Sequence, residues 1–105
     1  MKKIINGLRY DTDKAIVIGF YSNIGREATG KGDFSWFEAT LYKTPRSGRY
    51  FLAGEGGAQS RFSQSAGQNS WTGGSDLIPM THGDALAWAE RYLDADVIEK
   101  HFEDA

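Results

Sequence analysis

The sequence predicts an α+β fold, in which an antiparallel sheet of about four strands is covered by one or two C-terminal helices. Aromatic and β-branched residues are concentrated before residue 53, in short stretches that alternate between two faces. Turn-forming residues separate these stretches, and an apolar stripe with helical spacing follows residue 81. Strands followed by helices are typical of α+β folds, and 105 residues predict a single domain, 1–105, with one core.

The composition excludes several classes of protein. The chain has no cysteine, so disulfide frameworks, thiolate zinc sites and cysteine nucleophiles are excluded. No long apolar segment follows the two N-terminal lysines, as a signal peptide would require, and no run approaches membrane-spanning length. We therefore expect a cytoplasmic protein without a membrane partner, and no motif predicts a metal or a cofactor.

Charge is distributed unevenly along the chain. Residues 1–52 contain nine Lys or Arg and five Asp or Glu, whereas residues 53–105 contain three and nine. Such asymmetry is found where a charged partner binds one face. It is found more often where a basic sheet edge and an acidic helix lie apart on a solvated surface, and this second interpretation is favoured.

The first third of the chain predicts three strands and a loop. Lys3–Asn6 and Leu8–Asp11 flank an Asn-Gly turn signal and form either a hairpin or one bent strand, and Ala15–Tyr21 is a strand. The following loop contains a partial phosphate-loop match over Gly25–Lys31. It lacks the required hydroxyl, since position 32 is Gly, and a strand rather than a helix is predicted next, so a flexible loop is favoured.

A central hairpin joins the strands Trp36–Lys43 and Arg49–Ala53 through a five-residue connection containing Gly48. In the first strand, alternation places Phe37, Ala39 and Leu41 on an apolar face toward the core. The opposite face is half-exposed or in contact with a partner and carries Trp36, Glu38, Thr40 and Tyr42. The basic tip either binds phosphates beside stacking tyrosines or is a solvated turn that discourages edge aggregation. The candidate partner-binding residues are Trp36, Tyr42, Lys43, Arg46, Arg49, Tyr50, Glu55, Arg61 and Trp71.

The segment Gly54–Ser75 contains six glycines and five serines and predicts a long polar loop. It also carries Phe62 and Trp71, which we expect to anchor the loop to the body of the protein. Catalysis by a loop serine would need a nearby base, and neither of the two histidines, His82 and His101, lies in a known nucleophile motif. The sequence therefore predicts a protein that is not an enzyme.

The C-terminal third predicts a helical cover. Leu77–Met80 is extended, and Thr81 caps a helix that runs to about Leu93, with Asp84 in an imperfect capping box. The acidic segment Asp94–Asp96 then interrupts or bends the helix, and a second short helix is predicted at Val97–Phe102.

Three stretches of the chain resemble a group of small proteins carried by phages and integrative elements. They are KIINGLRYDTDKA, LYKTPRSGRYFLAGEGG and QNSWTGGSDLIPM, and together they extend over most of the sequence. Relatives of this group occur near anti-CRISPR genes. The resemblance implies a small inhibitor or accessory protein that binds a complex of the bacterial host, and it transfers no catalytic residue.

These observations lead to two expectations about function. The first is a non-enzymatic anti-CRISPR-type inhibitor, which binds a CRISPR–Cas effector complex in the host cytoplasm and blocks target DNA binding or nuclease recruitment. The alternative is a nucleic-acid-binding accessory protein of a mobile element, whose affinity falls steeply with salt. That alternative would use Lys2, Lys3, Arg9, Lys43, Arg46 and Arg49.

Overall fold

The computed structural model describes residues 1–67 and 70–102, with backbone only at residues 66 and 67. Within these residues, strands precede two helices. The strands are β1 (Lys2–Ile5), β2 (Leu8–Asp11), β3 (Ile16–Ser22), β4 (Phe37–Lys43), β5 (Tyr50–Gly56), β6 (Gln64–Gly67), β7 (Ser70–Thr72) and β8 (Gly74–Met80). The helices are α1 (His82–Tyr92) and α2 (Ala95–His101).

The strands form an antiparallel four-stranded sheet and two smaller hairpins. The order in the main sheet is β3-β4-β5-β8, and β1 pairs with β2 and β6 with β7. The α+β class predicted from the sequence is confirmed. The residues group into two compact units, which are described in turn. Unit 1 comprises residues 1–21, 40–53 and those from 77 onward; unit 2 comprises residues 22–39 and 54–76.

The N-terminal hairpin of unit 1 follows the Asn-Gly turn signal. Asn6 and Gly7 have φ angles of 53° and 78°, the left-handed pair that a tight two-residue turn requires. Antiparallel pairing continues from Ile5–Leu8 to Lys2–Asp11. Of the two alternatives left open by the sequence, the hairpin is therefore the observed one.

Strand β5 is covered on both faces within unit 1. Its consecutive residues Tyr50, Phe51 and Leu52 are all buried, although successive side chains of a strand point to opposite faces. Phe51 packs edge-on against Tyr10 of the N-terminal hairpin and lies parallel to Tyr42, with ring centroids 5.4 and 5.1 Å apart. On its neighbour, the Tyr50 ring lies parallel to Phe102 at 5.2 Å.

The helices of unit 1 begin and end near the predicted residues. Thr81 Oγ1 accepts a hydrogen bond from the backbone N–H of Asp84, as the capping motif predicts, and α1 buries Ala85, Trp88 and Ala89. Leu93 ends α1 and lies over Gly19 of β3, where a Cβ would lie 2.8 Å from its Cδ1. The absence of a side chain at Gly19 therefore lets the helix end approach the strand.

In unit 2, strands occupy much of the segment 54–75, which the sequence predicted as a long loop. Strand β5 extends to Gly56, β6 and β7 form a hairpin with a register shift after Ser65, and β8 begins at Gly74. Phe62 is buried, as predicted for an anchor. The expectation for Trp71 was wrong, because its side chain is 62% exposed.

The segment between β3 and β4 is a series of turns with one isolated bridge between Ile24 and Ala28. The partial phosphate-loop match is therefore followed by turns and a strand, as the sequence predicts, and not by a helix. None of the helices in the described ranges is long and apolar enough to cross a membrane.

Candidate functional site

A buried asparagine organises the turns of unit 2. Asn23 is only 2% exposed, and its side chain donates from Nδ2 to the Ser35 carbonyl at 2.9 Å and accepts at Oδ1 from the Phe37 amide at 2.9 Å. Its own carbonyl accepts from the amides of Arg26 and Ala28. One side chain thus joins both ends of the 23–37 segment. These hydrogen bonds also avoid the free-energy cost of a buried amide left unpaired.

Asp33 fixes the tip of the same segment. Its carboxylate accepts hydrogen bonds from the amide and hydroxyl of Ser35, at 2.9 and 2.8 Å, and from the amide of Thr29. These bonds, those from Ser35 first, lower the pKa of Asp33 below its usual value. The turn holds Phe34 between two bonded residues, with its side chain 65% exposed.

Phe34 and Trp71 lie on one surface cavity of about 490 Å³, which we call the aromatic cleft. They are two of the most exposed large apolar side chains of the protein. Exposed aromatic residues at a cleft are typical of protein contact sites. The cleft is lined by Lys31, Gly32, Asp33, Phe34, Trp36, Glu55, Gly56, Gly57, Ala58, Trp71, Thr72, Gly73, Gly74 and Ser75.

Glycines form one wall of the aromatic cleft because the backbones there are too close for side chains. A Cβ on Gly57 would lie 2.5 Å from the Phe34 carbonyl oxygen and 2.7 Å from that of Asp33. A Cβ on Gly73 would lie 2.6 Å from the carbonyl oxygen of Gly56. Gly57 therefore lets the Phe34 turn lie against the end of β5, and Gly73 lets the chain after β7 lie against that same end of β5.

Lys31 and Trp36 form the polar part of the aromatic cleft. The ammonium group of Lys31 lies 5.4 Å from the centre of the Trp36 ring and 3.9 Å from one carboxylate oxygen each of Glu38 and Glu55. Trp36 is buried, and its indole Nε1 has no hydrogen-bond acceptor among the residues that the structure describes. The polar part thus combines the cation of Lys31 with the carboxylate of Glu55, and Lys31 also reaches Glu38 outside the lining.

Unit 1 carries two further cavities, on residues of the predicted basic tip. The first, of about 570 Å³, we call the basic cavity; it is lined by Tyr10, Lys43, Gly48, Arg49, Tyr50, Met80 and His82. The second, of about 420 Å³, is lined by Arg9, Asp11, Lys14, Ala15, Thr44, Pro45, Arg46 and Ser47. The turn between β4 and β5 contributes to both.

The structure divides the nine predicted partner-binding residues among these places. The aromatic cleft contains Trp36, Glu55 and Trp71; the basic cavity contains Lys43, Arg49 and Tyr50; Arg46 lines the second cavity. Arg61 is exposed in unit 2, outside the lining of the aromatic cleft, and Tyr42 is half-buried against Phe51. Tyr50 is buried and its ring is stacked on Phe102, so it is not an open stacking platform.

Three of the lining residues that sequence reasoning missed bear on binding: Phe34, Lys31 and His82. Phe34 lies two residues before the predicted strand Trp36–Lys43 and has no predicted role, although the Asp-Phe-Ser sequence is a signal for a turn closed by the aspartate. Lys31 was set aside together with the phosphate-loop match. His82 was considered only as a base for a serine, whereas it lines the basic cavity at the start of α1.

The Asp-rich turn after β2 closes on its own backbone. The amide of Asp13 donates to Asp11 Oδ1 at 3.0 Å, the self-bonding arrangement expected of such turns. Among the described residues, no group of three or more potential ligands could hold a metal ion. Comparison of the chain with protein-family models, curated proteins and solved structures found no match.

Proposed function

We propose that this protein is a non-enzymatic inhibitor, encoded by a mobile element, that binds a bacterial CRISPR–Cas effector complex and blocks target DNA binding or nuclease recruitment. The resemblance of three sequence stretches to small phage and integrative-element proteins supplies the partner class. The aromatic cleft supplies the surface by which such a protein would bind.

One observation supports this proposal most directly: Phe34 and Trp71 are exposed beside the same cavity. An exposed aromatic ring contributes little to the stability of the free protein. Buried at a hot spot of an interface, it contributes about 2 kcal/mol or more to the binding free energy. Asn23 and Asp33 hold the Phe34 turn in place, so little conformational entropy is lost when a partner binds there.

The mechanism requires only that a surface of the effector is occupied. A partner seated on the aromatic cleft would bury both rings and meet Glu55, which is half exposed, and Lys31 at its edge. The mixed charge at this edge provides hydrogen-bond donors and acceptors and fixes the orientation of the partner. Inhibition then follows from steric exclusion of DNA or nuclease.

A plasmid-interference assay tests the proposal. Cells carrying one CRISPR–Cas system each receive a targeted plasmid and either the wild-type protein or the variant Phe34→Ala/Trp71→Ala. The wild type should restore plasmid survival with at least one effector type, and the double variant should lose most of this protection. The matched control, Ile4→Ala/Phe20→Ala, removes two equally exposed apolar side chains of unit 1 and should protect like the wild type.

Two outcomes would refute it. If the wild-type protein neither binds nor inhibits any effector type, the inhibitor proposal fails. If inhibition is present but both double variants protect equally, the partner binds elsewhere and the aromatic cleft is not the contact surface.

The second candidate, a nucleic-acid-binding accessory protein, is favoured by the two cavities beside the β4–β5 turn. Arg9, Lys14 and Arg46 face one cavity, and Lys43 and Arg49 face the other. Within the described part of the chain, Asp11 is the one carboxylate among the residues that line them. Basic side chains gathered around one turn fit the phosphates of a nucleic acid.

A gel-shift series at increasing salt tests this second candidate. Binding of DNA or RNA should weaken steeply with salt, and Arg46→Glu should weaken it uniformly across sequences. The control Arg61→Glu changes the net charge equally in unit 2 and should have little effect. No shift at low salt would exclude this function.

A further inference from the structure

The basic cavity of unit 1 has the composition of an anion site. Its lining includes two permanent cations, Lys43 and Arg49, together with the imidazole of His82, and no Asp or Glu among the residues that the structure describes. Within the described residues, neither cation forms an ion pair with a carboxylate. The positive charge of the cavity is therefore not neutralised by its own walls.

The β4–β5 turn fixes the positions from which both cations extend. The amide of Thr44 donates to the Arg49 carbonyl at 2.8 Å, and the Arg49 amide donates to Thr44 Oγ1 at 2.8 Å. Gly48, with a φ of 66°, adopts the left-handed conformation that closes the turn and donates its amide to the Thr44 carbonyl. Lys43 and Arg49 are thus presented side by side on a closed turn.

Aromatic packing fixes the floor of the cavity. The rings of Tyr50, His82 and Phe102 form a cluster with centroids 5.2 to 5.7 Å apart, in which Tyr50 and Phe102 are parallel and His82 is edge-on to both. The ammonium of Lys43 lies 5.6 Å from the centre of the Tyr50 ring. The imidazole of His82 is therefore held by packing, although the residue is exposed.

We propose that the basic cavity binds the phosphate group of a nucleotide-sized ligand. A volume of about 570 Å³ is within the range of small-ligand sites and larger than a bare phosphate needs. The planar guanidinium of Arg49 binds phosphate oxygens in pairs, and Lys43 adds a point charge. Met80 is half-buried and gives the remaining wall an apolar edge, whereas the rings of Tyr10 and Tyr50 are buried behind it. This site is independent of the proposed inhibitor surface, because the aromatic cleft belongs to unit 2.

Titration of the isotope-labelled protein, followed by amide NMR, tests this site. Adenosine monophosphate should shift the amides of residues 43, 48–50 and 82, and adenosine without phosphate should not. Arg49→Glu should weaken binding about tenfold or more, since a charged hydrogen bond is lost and a repulsion is added. The control Arg61→Glu has the same charge change in unit 2 and should bind like the wild type.

A second arm separates the free nucleotide from a nucleotide within a strand. A ten-residue oligothymidylate is titrated under the same conditions, and shifts of the same amides by both probes support one phosphate site that serves either source. Shifts by the oligonucleotide alone would overturn the nucleotide-sized site and leave only a backbone-binding surface. Equal shifts by adenosine and its monophosphate, or unchanged binding in Arg49→Glu, would refute the role of the phosphate.

Discussion

His101 lies at the end of α2, where its surroundings disfavour the charged imidazolium. Burial is the largest cause, and the positive charges of Lys100 and Lys43 add to it, so the pKa of His101 lies below 6.5. The unfolded chain keeps the ordinary value of about 6.5. Between these two pKa values the unfolded state binds more protons than the folded state, so the free energy of unfolding rises with pH.

A pH series of urea unfolding curves checks this effect. The free energy of unfolding should increase as the pH is raised from about 5.5 to 7.5, and should level off once His101 is neutral in both states. His101→Gln should flatten this part of the profile, because Gln does not titrate. A variant profile that keeps the full wild-type slope would show that other groups cause it.

Asn23 and Trp36 both bury a polar side-chain atom, but they differ in whether that atom has a hydrogen-bond partner. The amide of Asn23 is paired on both sides, whereas Trp36 Nε1 has no acceptor within the described part of the chain. Neither could be assigned from the sequence, because an Asn in a Gly-rich segment and a Trp next to a strand each have many common environments. The pairing of Asn23 depends on residues 12 and 14 positions further along the chain.

At the scale of elements, the strand β5 depends on glycine where it meets β4. A Cβ on Gly54 would collide with the backbone carbonyl oxygen of Glu38 and lie 2.8 Å from Ala39 Cα. Backbone atoms cannot move aside as a flexible side chain can. Gly54 is therefore required by the close approach of the strands β4 and β5 and not by a turn.

Gly54→Ala should reduce the free energy of unfolding by about 1–3 kcal/mol, the usual cost of overpacking. The matched control is Gly32→Ala, because no atom lies within 4 Å of a Cβ at that position. It should change the stability by about 0.5 kcal/mol or less. Urea unfolding of the three proteins measures both values, and equal stability of the two variants would contradict the close approach.

Elements with strong local signals were predicted from the sequence. The β4–β5 hairpin and the capped helix α1 follow from turn residues, alternation and the Thr81 cap. The Asn-Gly hairpin is one of the two arrangements that its turn signal predicted. The hairpin β6–β7 was missed because its Gly-, Ser- and Gln-rich sequence has little β propensity. Its strands are defined by their antiparallel backbone pairing, which the composition does not reveal. Tyr50 was expected as a stacking partner at the hairpin tip, and its burial was missed because the pattern of one strand does not reveal that both faces of β5 are covered.

At the scale of the whole molecule, the two units carry different chemistry. Unit 1 holds basic residues around the β4–β5 turn, and unit 2 holds exposed aromatic residues around glycines. The residues of the aromatic cleft come from three separate chain segments, so only Trp36, Glu55 and Trp71 were named from the sequence. Phe34 joins them through the turn that Asp33 closes.

The central claim is that the aromatic cleft binds the effector complex. The most direct test is the affinity of the purified effector for the wild-type protein, for Phe34→Ala/Trp71→Ala and for the control Ile4→Ala/Phe20→Ala. Removal of two central aromatic contacts should raise the dissociation constant about a hundredfold or more, while the control stays near the wild-type value. An affinity of the Phe34→Ala/Trp71→Ala variant within about threefold of the wild type would contradict the claim.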